Sequence, residues 1–369
     1  MLPLMLPLNW QRVRLGDICE INPPTIIPNV FYYIDLENVE KGQLLNKQLM
    51  TKNKAPSRAR RLLSKNDILY QLVRPYQRNN YFFTLNGNYV ASTGYAQIRT
   101  LQNPSFLYFA LHSNYFVNAV LDRCEGTSYP AISSNELKKC EVILPPLNEQ
   151  SAIANILGAL DRYLCALDAL ILKKEGVKKA LSFELLSQRK RLKGFNQAWQ
   201  RVRLGDIANY LTSNLSVEQI TQQGKIKVYD VNNFIGYTDT TFISDKPYIS
   251  IVKDGSVGRV RILPPKTNIL STMGALIANH RTTTEFLFYL LSNFDFKNFT
   301  SGSIIPHIYF KDYKEKTIFL PPLNEQSAIA NILSDLDNEI TSLKNKKRQF
   351  ENIKKALNHD LMSAKIRVL

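Results

Sequence analysis

One stretch of fourteen residues occurs twice in this chain, and it constrains the fold more than any other feature. Residues 144–157 and 320–333 both read LPPLNEQSAIANIL. A second stretch, Trp-Gln-Arg-Val-Arg-Leu-Gly-Asp-Ile, opens each half at 10–18 and 199–207, and at 10–18 its alternating apolar residues predict an entry strand. Chance does not produce identity of this extent. The sequence therefore indicates an internal duplication, and we expect two copies of one structural unit.

Each copy of the LPPLNEQ stretch leads into a long helical pattern. Apolar residues recur there at alternating steps of four and three, namely at Ile153, Leu157, Leu160, Leu164, Leu167, Ile171, Leu181 and Leu185, and at Ile329, Leu333, Leu336, Ile340, Leu343, Phe350, Leu357 and Leu361. This heptad seam is typical of a coiled coil, and a helix of about 40 residues cannot bury it alone. We expect the two repeats to pair within the chain as an antiparallel coiled coil. The alternative is two amphipathic helices, each packed on its own domain.

The start of each long helix is marked by prolines and polar residues. Two prolines end the preceding strand, so Asn148 and Asn324 are the predicted N-caps. Glu149 and Glu325 then fall in the first turn, where a carboxylate complements the positive end of the helix dipole. The sequence thus predicts that both helices begin at the repeated Asn-Glu pair.

The charge of the chain indicates its class of partner. With 47 Lys and Arg residues against 31 Asp and Glu residues, the formal net charge is +16, which favours nucleic acid or an anionic membrane surface. No apolar run approaches the length of a membrane span, and the first ten residues lack the basic region of a signal peptide. The four cysteines have no CxxC spacing and are predicted to be reduced and buried. We therefore expect a cytoplasmic protein that binds nucleic acid.

The first half is rich in β-branched and aromatic residues, with strands predicted at 68–73, 81–84, 88–91 and 96–99 and a helix at 103–121. Basic and aromatic residues lie between the strands. Arginine and asparagine pair with base edges, and lysine and arginine hold phosphates; a solvated basic face is the alternative. The residues that we favour for DNA contact here are Arg74, Tyr76, Arg78, Asn79, Ser92, Thr93, Ser128 and Tyr129.

The middle of the second half shares little obvious sequence with the first, but it is also β-rich. Strands are predicted at 227–231, 248–252, 257–263 and 275–278, and residues 253–259 form a hairpin turn with flanking basic residues. The glycines of that turn are not followed by the Lys-Ser/Thr pair of a phosphate-binding loop. The residues that we favour for DNA contact in this half are Lys253, Ser256, Arg259, Thr272, Ser303 and His307.

Several residue patterns match parts of catalytic sites, but none is complete. Residues 22–25 read Asn-Pro-Pro-Thr, whereas the base-binding loop of amino-methylating enzymes ends in an aromatic residue. Asp122 with Glu136 and Lys138 forms only a loose nuclease-like pattern, and Ser133 with Glu136 is a predicted capping box. The histidines and cysteines have no metal-ligand spacing. We predict no catalytic residue, no metal and no cofactor.

The repeated segments together resemble the specificity (S) subunit of type I restriction-modification systems. The residues that carry this resemblance are the Trp10–Ile18 and Trp199–Ile207 segments, the Gly126…Pro130 and Gly302…Pro306 loops, and the paired LPPLNEQ helices. The resemblance covers the whole chain. It implies an α+β fold in which two β-rich target recognition domains are joined by two long helices that form the antiparallel coiled coil, as a pseudo-twofold repeat.

The resemblance also implies a domain division. Residues 1–143 and 193–319 are expected to be the two target recognition domains, and residues 144–192 and 320–369 the central and distal spacer helices. In this family, each recognition domain reads one half of a split DNA sequence, and the helical regions space the domains and bind methyltransferase subunits. The chain itself is then expected to catalyse nothing.

The implied partners are double-stranded DNA, two methyltransferase (modification) subunits and motor-nuclease (restriction) subunits, with no role for a membrane. The residues predicted to bind the methyltransferase are Asn148, Glu149, Gln150, Asn324, Glu325 and Gln326. Two alternatives stay open at this point. The chain could be a coiled-coil scaffold that binds proteins, or the specificity subunit of a methylation-only system.

Overall fold

The computed structural model describes residues 6–368, so residues 1–5 of the apolar N-terminal stretch and residue 369 lie outside the described residues. The chain forms two compact units. Unit 1 consists of the described residues up to Asp168 together with those from Lys346 onward, and unit 2 is Ala169–Asn345. The division falls inside both long helices, so each unit contains a β-rich part and one portion of each helix. The four-segment domain division stays a prediction.

Unit 1 is a mixed α and β structure. Its strands are β1 (Gln11–Arg14), β2 (Cys19–Ile21), β3 (Val30–Ile34), β4 (Val39–Glu40), β5 (Gln43–Leu44), β6 (Gln48–Thr51), β7 (Ala59–Leu62), β8 (Ile68–Gln71), β9 (Tyr81–Phe82), β10 (Tyr89–Ser92), β11 (Tyr95–Thr100) and β12 (Glu141–Leu144). Its helices are α1 (Leu15–Ile18), α2 (Pro104–Ala110), α3 (Asn114–Leu121), α4 (Ser134–Lys139) and the first part of α5 (Leu147–Leu186). Short 3₁₀ helices occur at Leu36–Asn38, Lys52–Lys54 and Pro75–Gln77.

Unit 2 is also a mixed α and β structure. Its strands are β13 (Gln200–Arg203), β14 (Ala208–Thr212), β15 (Ile226–Tyr229), β16 (Phe234–Thr238), β17 (Tyr248–Val252), β18 (Val260–Leu263), β19 (Asn268–Ile269), β20 (Met273–Ala278), β21 (Thr300–Ser301), β22 (His307–Ile308) and β23 (Thr317–Leu320). Its helices are α6 (Thr284–Ser292), α7 (Phe310–Tyr313), the first part of α8 (Leu323–Met362) and the last part of α5. Its 3₁₀ helices are Leu204–Asp206, Val217–Gln219 and Lys297–Phe299.

The two units share the strand order of one sheet and the central pairing of a second, although their sequences differ. A four-stranded antiparallel sheet has the order β2-β11-β8-β9 in unit 1 and β14-β20-β17-β18 in unit 2. A second sheet contains one parallel pair in each unit, β3 with β10 and β15 with β19, and an antiparallel strand beside it. The first strand of each unit pairs with the strand before its long helix, β1 with β12 and β13 with β23. The duplication therefore extends to the segments that share little sequence.

Three local predictions differ from the structure near the helix starts of unit 1. Residues 103–121, predicted as one helix, form α2 and α3, because the Ser113 side chain accepts a hydrogen bond from Phe116 N at 3.2 Å and caps a new helix. Ser133 caps α4 as predicted, but the Glu136 carboxylate pairs with Lys139 and Arg123 instead of closing the capping box. Within Trp10–Ile18, the predicted strand ends at Arg14 and α1 follows.

The predicted long helices are present, and each is 40 residues long. Both begin two residues earlier than N-caps at Asn148 and Asn324 predict, with Leu147 and Leu323 as the first helical residues, so these asparagines lie in the first turn and are not the N-caps. The helices start earlier because the carbonyls of Pro146 and Pro322 already accept the first helical hydrogen bonds. Their donors are the backbone N–H groups of Gln150 and Gln326, at 2.9 Å in both copies.

In each unit, the start of one long helix packs against the end of the other. In unit 1, Ile153 and Leu157 of α5 share an apolar core with Leu361 and Met362 of α8 and with Trp10. Unit 2 repeats this arrangement with the counterparts of these residues in the other repeat. They are Ile329 and Leu333 of α8, Leu185 of α5, and Trp199. The apolar seam is therefore buried between the two repeats, as the heptad pattern predicts.

Ion pairs along the helices show that the pairing is antiparallel. In unit 1, Asp168 binds Lys347 at 2.6 Å, and Asp161 binds Lys354 further along. As the residue number rises on one helix, that of its partner falls on the other. In unit 2, Glu175 binds Lys344 at 2.6 Å and Lys178 binds Asp337, so the partner number again falls along the helix, and Lys174 binds Glu339 at 2.8 Å within the same stretch. The predicted antiparallel coiled coil is confirmed in both units.

The cysteines agree with the prediction only in part. All four are free, and Cys140 is buried, but Cys165 on α5 is exposed. No helix within residues 6–368 is both long and apolar enough to cross a membrane.

Candidate nucleic-acid interface

Three loops of unit 1 are joined by backbone hydrogen bonds. They are the segment that follows β8, the β10–β11 turn and the loop from Gly126 to Ala131. Arg74 N donates to Pro130 O at 2.7 Å, and Ile132 N donates to Leu72 O at 3.0 Å. On the other side, Leu72 N donates to Gly94 O at 3.0 Å. The three loops therefore form one continuous surface at the end of β8, which we call the three-loop surface.

Unit 2 contains a three-loop surface with the same bonds. Gly255 N donates to Pro306 O and Ile308 N donates to Lys253 O, both at 2.9 Å, while Lys253 N donates to Thr272 O at 3.1 Å. Pro306 and Ile308 are the repeat counterparts of Pro130 and Ile132 in unit 1. This match places Gly255 where unit 1 has Arg74, a correspondence that the sequences did not reveal.

A glycine fixes the third loop in both units. Gly126 and Gly302 have positive φ angles of 88° and 91°, a region that costs other residues steric strain. At Gly302, an added Cβ atom would lie 2.3 Å from the carbonyl oxygen of Ile305, so any side chain would force the loop open. Each loop is thus held in one conformation by its own backbone.

Arg74 and Tyr129 form the centre of the unit 1 surface. The Arg74 guanidinium lies 4.2 Å from the centroid of the Tyr129 ring. Tyr129 and Tyr76 are 63% and 50% exposed, and Ser128 beside Tyr129 is also exposed. Arg74 itself has a positive φ of 54° at the start of the Pro75–Gln77 turn. Four predicted contact residues therefore lie together, and a guanidinium supported by a ring face is well placed to donate hydrogen bonds outward.

The other predicted residues of unit 1 are less available. The Arg78 guanidinium donates to His112 O at 2.9 Å and to Asn114 Oδ1 at 2.8 Å, so it turns inward and connects the turn to α3. The Asn79 side chain accepts from Lys41 N at 3.2 Å. Ser92 is 1% exposed, so its predicted DNA contact is corrected, because a buried hydroxyl cannot reach a duplex. Thr93 is half-buried in the β10–β11 turn and stays a candidate.

In unit 2, the structure brings all six predicted contact residues to the three-loop surface or next to it. Ser256, Arg259, Thr272 and Ser303 are exposed, and Lys253 is half-buried beside Asp254. His307 Nδ1 lies 2.7 Å from Asp254 Oδ1, so the imidazole is already engaged within the surface. The Asp254 carboxylate adds a hydrogen-bond acceptor to this surface, of the kind that pairs with a cytosine amino group.

Two apolar residues on the unit 2 surface were missed. Ile304 and Ile305 lie between Gly302 and Pro306 and are 92% and 54% exposed. They occupy the positions that Ser128 and Tyr129 occupy in unit 1. The available signal was the pair of isoleucines inside a Gly-x-x-x-Pro loop, since apolar side chains flanked by turn residues on both sides cannot all reach a core.

The predicted methyltransferase-binding residues divide into two groups. Glu149, Gln150, Glu325 and Gln326 are buried, with at most 3% exposure. Because buried side chains cannot present themselves to a partner, the prediction is corrected for these four. Asn148 and Asn324 are exposed, and so are the neighbouring leucines, Leu147 at 57% and Leu323 at 47%. These four exposed residues form two equal surfaces, one at the start of each long helix.

The buried glutamates hold the two repeats together. Glu325 accepts a hydrogen bond from Trp199 Nε1 at 3.0 Å and is paired with Arg191. Glu149 accepts from Trp10 Nε1 at 2.9 Å and is paired with Arg367. Burial of the Glu149 carboxylate disfavours its charge, but the hydrogen bonds from Arg367 and Trp10 outweigh burial and lower its pKa.

The buried glutamines complete the same structural role. Gln150 Nε2 donates to Pro145 O, and Gln326 Nε2 donates to Pro321 O, each at 2.8 Å. The repeated Asn-Glu-Gln sequence is thus explained mainly by internal bonds that fix the start of each helix against its own unit.

The residues of the loose nuclease-like pattern do not form a metal site. Glu136 is held in ion pairs with Arg123 and Lys139. In the part of the chain that the structure describes, no group of three His, Cys, Asp or Glu side chains is arranged to hold a metal ion. The chemistry that the three-loop surfaces present consists of hydrogen-bond donors, hydrogen-bond acceptors and apolar groups.

Comparison with known proteins agrees with this arrangement. The family model described as the type I restriction modification DNA specificity domain matches residues 7–174 and again residues 196–352. The chain is 22% identical over 413 residues to the type I restriction enzyme MjaVIII specificity subunit of Methanocaldococcus jannaschii, covering 99% of this chain and 95% of that protein.

Two solved structures have the same fold. The S subunit of a type I restriction-modification system from M. genitalium superposes with a TM-score of 0.66 at 19% identity, covering 98% of both chains. A chain from a structural study of type I R-M system assembly and conformational transition gives a TM-score of 0.62 at 22% identity, covering 98% of this chain and 99% of the other. With two matched domains that span most of its length, the chain belongs to the family of type I restriction-modification DNA specificity proteins.

Proposed function

We propose that the chain reads a DNA target in two parts, one part with each three-loop surface, and directs methyltransferase and restriction subunits to that target. The observation that carries the proposal is that both units position three loops by the same backbone bonds but fill them with different side chains. One scaffold thus presents two chemistries, which is what recognition of two different half-sites requires.

The side chains on each surface suit DNA. Arg74 and Arg259 supply guanidinium donors, which pair best with guanine edges, and Thr272, Ser128 and their neighbours supply hydroxyl groups. The net charge of +16 adds a general attraction to phosphates that does not depend on sequence. Base contacts then select the site, and phosphate contacts position the protein on it.

Two methyltransferase subunits are the proposed protein partners. The exposed leucine and asparagine at the start of α5 are repeated at the start of α8 with similar exposure. Identical sequence in the same local structure offers two equal docking surfaces, so one kind of partner can bind twice. Restriction subunits join through the assembled complex, and the chain supplies specificity and no catalysis. Such a complex acts on the cell's own DNA, so we place the chain in the cytoplasm.

The proposal is tested by sequencing the methylated bases in cells that express the chain with its neighbouring methyltransferase, with and without the chain. We expect a methylated motif in two parts, separated by unspecified bases, that disappears when the chain is deleted. Methylation that persists unchanged without the chain would contradict the proposal. Whether restriction subunits also act is read from the survival of unmethylated phage or plasmid DNA in the same cells.

A further inference from the structure

The apolar tip of the third loop in unit 2 has no explanation in the fold. Ile304 is 92% exposed and Ile305 is 54% exposed, and both lie at the end of the short β21–β22 hairpin. One exposed isoleucine on a surface is ordinary. Two adjacent isoleucines at the tip of a hairpin within a binding surface expose apolar area that only a ligand or partner can cover.

The tip is held in place before anything binds. Gly302 has a conformation that other residues do not tolerate, and Gly255 N ties Pro306 O to the neighbouring loop at 2.9 Å. Isoleucine is branched at Cβ and has few side-chain conformations to lose. Little entropy is therefore lost when the two side chains are covered, and even small apolar contacts contribute to affinity.

The groups around the tip suit a phosphate backbone. The Lys253 carbonyl accepts a hydrogen bond from the backbone N–H of Ile308 in the hairpin, and Lys311 Nζ lies 5.4 Å from the Tyr309 ring centroid. Arg259 is exposed on the adjoining loop. The adjoining loop and helix carry Lys253, Arg259 and Lys311 together with Asp254 and Asp312. This charged and polar surrounding suits the edge and backbone of DNA better than an apolar protein surface.

The same place in unit 1 has different chemistry. There the loop carries Ser128 and Tyr129, with Arg74 stacked on the tyrosine ring. In unit 2, the counterpart of Arg74 is Gly255, which has no side chain to donate a hydrogen bond. Unit 2 thus presents exposed apolar side chains at the position where unit 1 presents polar and charged ones.

We infer that Ile304 and Ile305 read the C5-methyl group of thymine in the major groove of the half-site that unit 2 recognises. Thymine is the unmodified DNA base that carries an apolar group on its major-groove edge. A branched aliphatic side chain excludes water from that methyl group and leaves a cytosine amino group unpaired. The inference rests on the proposed function and assigns a specificity-determining role to two residues of it.

The test uses the chain assembled with its methyltransferase subunits and duplexes that contain its methylated motif. Each thymine of the unit 2 half-site is replaced singly by deoxyuridine, which removes one methyl group and nothing else. Binding is compared for the wild type, the Ile304→Ala/Ile305→Ala variant and a matched Val217→Ala control. Val217 is also an exposed apolar residue of unit 2, at 65%, but lies outside the three loops.

We expect at least one deoxyuridine duplex to bind the wild type and the V217A control roughly three- to fivefold more weakly than the thymine duplex, the loss expected for one buried methyl group. The Ile304→Ala/Ile305→Ala variant should bind the thymine and deoxyuridine duplexes with equal affinity, while its discrimination at the unit 1 half-site is unchanged. Full sensitivity to deoxyuridine in that variant, or none in the wild type, would overturn the inference.

Two other roles of the tip give different results. If the isoleucines instead wedge between base pairs, the alanine variant loses affinity for the thymine and deoxyuridine duplexes equally. A 2-aminopurine placed beside the wedged base step then brightens in the wild-type complex, because it is unstacked, but not in the complex of the variant. If they dock on protein, the variant fails to assemble with methyltransferase. Either result overturns the thymine assignment, whereas a wild-type complex that does not bind the bipartite duplex at all refutes the proposed function itself.

Discussion

The guanidinium of Arg191 donates two hydrogen bonds to the buried carboxylate of Glu325, at 2.6 and 3.1 Å. Arg191 follows the end of the first long helix, whereas Glu325 lies at the start of the second. The repeat counterparts Arg367 and Glu149 make the reciprocal pair in unit 1. Each repeat therefore ends by closing the beginning of the other, and this exchange fixes which helix pairs with which.

Removal of one arginine should destabilise its own unit. Arg191→Ala leaves the Glu325 charge buried with the Trp199 hydrogen bond but without its cation, so we expect a marked loss in the free energy of unfolding of unit 2. Chemical denaturation with a probe in each unit measures it. The matched control is Arg189→Ala, whose side chain stacks on Phe183 and should cost much less. Equal losses for both variants would contradict the role of the pair.

The free energy of unfolding of unit 1 should fall in acid, because His112 is buried in its neutral form. His112 Nδ1 lies 2.7 Å from Tyr108 O, so this nitrogen carries the proton of the neutral ring. Burial lowers the pKa of His112 to about 4, against 6.5 in the unfolded chain. Because the folded state resists protonation, the stability from the neutral ring is full above pH 6.5 and is lost as the pH falls towards 4.

The size of this effect is on the order of 2 kcal/mol across that range. His112→Gln removes the titrating group, so the free energy of unfolding of unit 1 should depend less on pH between 6.5 and 4 in the variant, whatever its absolute stability. Urea unfolding at several pH values measures the slope. The same slope in the variant and the wild type would show that another group is responsible.

Loss of the stacked arginine should relax recognition of one half-site only. Arg74→Ala removes the guanidinium on Tyr129, and we expect discrimination at one or two positions of the unit 1 half-site to fall by about 1–3 kcal/mol. Binding to duplexes with single base changes measures it. Arg259→Ala is the matched variant and should affect only the other half-site. If Arg74→Ala weakens all duplexes equally, Arg74 holds a phosphate and does not read a base.

The exposed leucines should control how many methyltransferase subunits bind. Leu147→Glu places a charge on one of the two equal surfaces, and we expect a complex with one methyltransferase; Leu323→Glu should do the same, and the double variant should bind none. Native mass spectrometry counts the subunits. Leu172→Glu, at a position 72% exposed on the same helix as Leu147, is the control and should retain both. Two bound subunits in the double variant would place the docking surface elsewhere.

The fold was largely predictable because it depends on repeated sequence. The heptad seam from Ile153 to Leu185 and its counterpart required burial, and only the other copy could provide it. The break at Ser113 was not predicted, because apolar periodicity continues across it and a single capping hydroxyl decides where α3 begins. The shared sheet topology of the two units was also hidden, since strand pairing depends on alternating burial and not on residue identity.

The candidate site was less predictable, for a physical reason. Arg74, Arg78 and Asn79 are equivalent in the sequence, but only contacts in three dimensions turn Arg78 towards His112 and leave Arg74 on Tyr129. In the repeated Asn-Glu-Gln motif, the glutamate and the glutamine are explained by their burial and not by docking to a partner. The arginines that pair with the two glutamates lie more than a hundred residues away in the sequence. Their 176-residue spacing was the available signal.

The central claim is that two surfaces of one chain read two parts of one DNA target. The most direct test measures binding of the assembled complex to duplexes that carry both half-sites, either half-site alone, or both with two extra base pairs between them. We predict tight binding only for the intact bipartite site, with an affinity that falls steeply as salt rises. Equal affinity for all four duplexes would contradict the account.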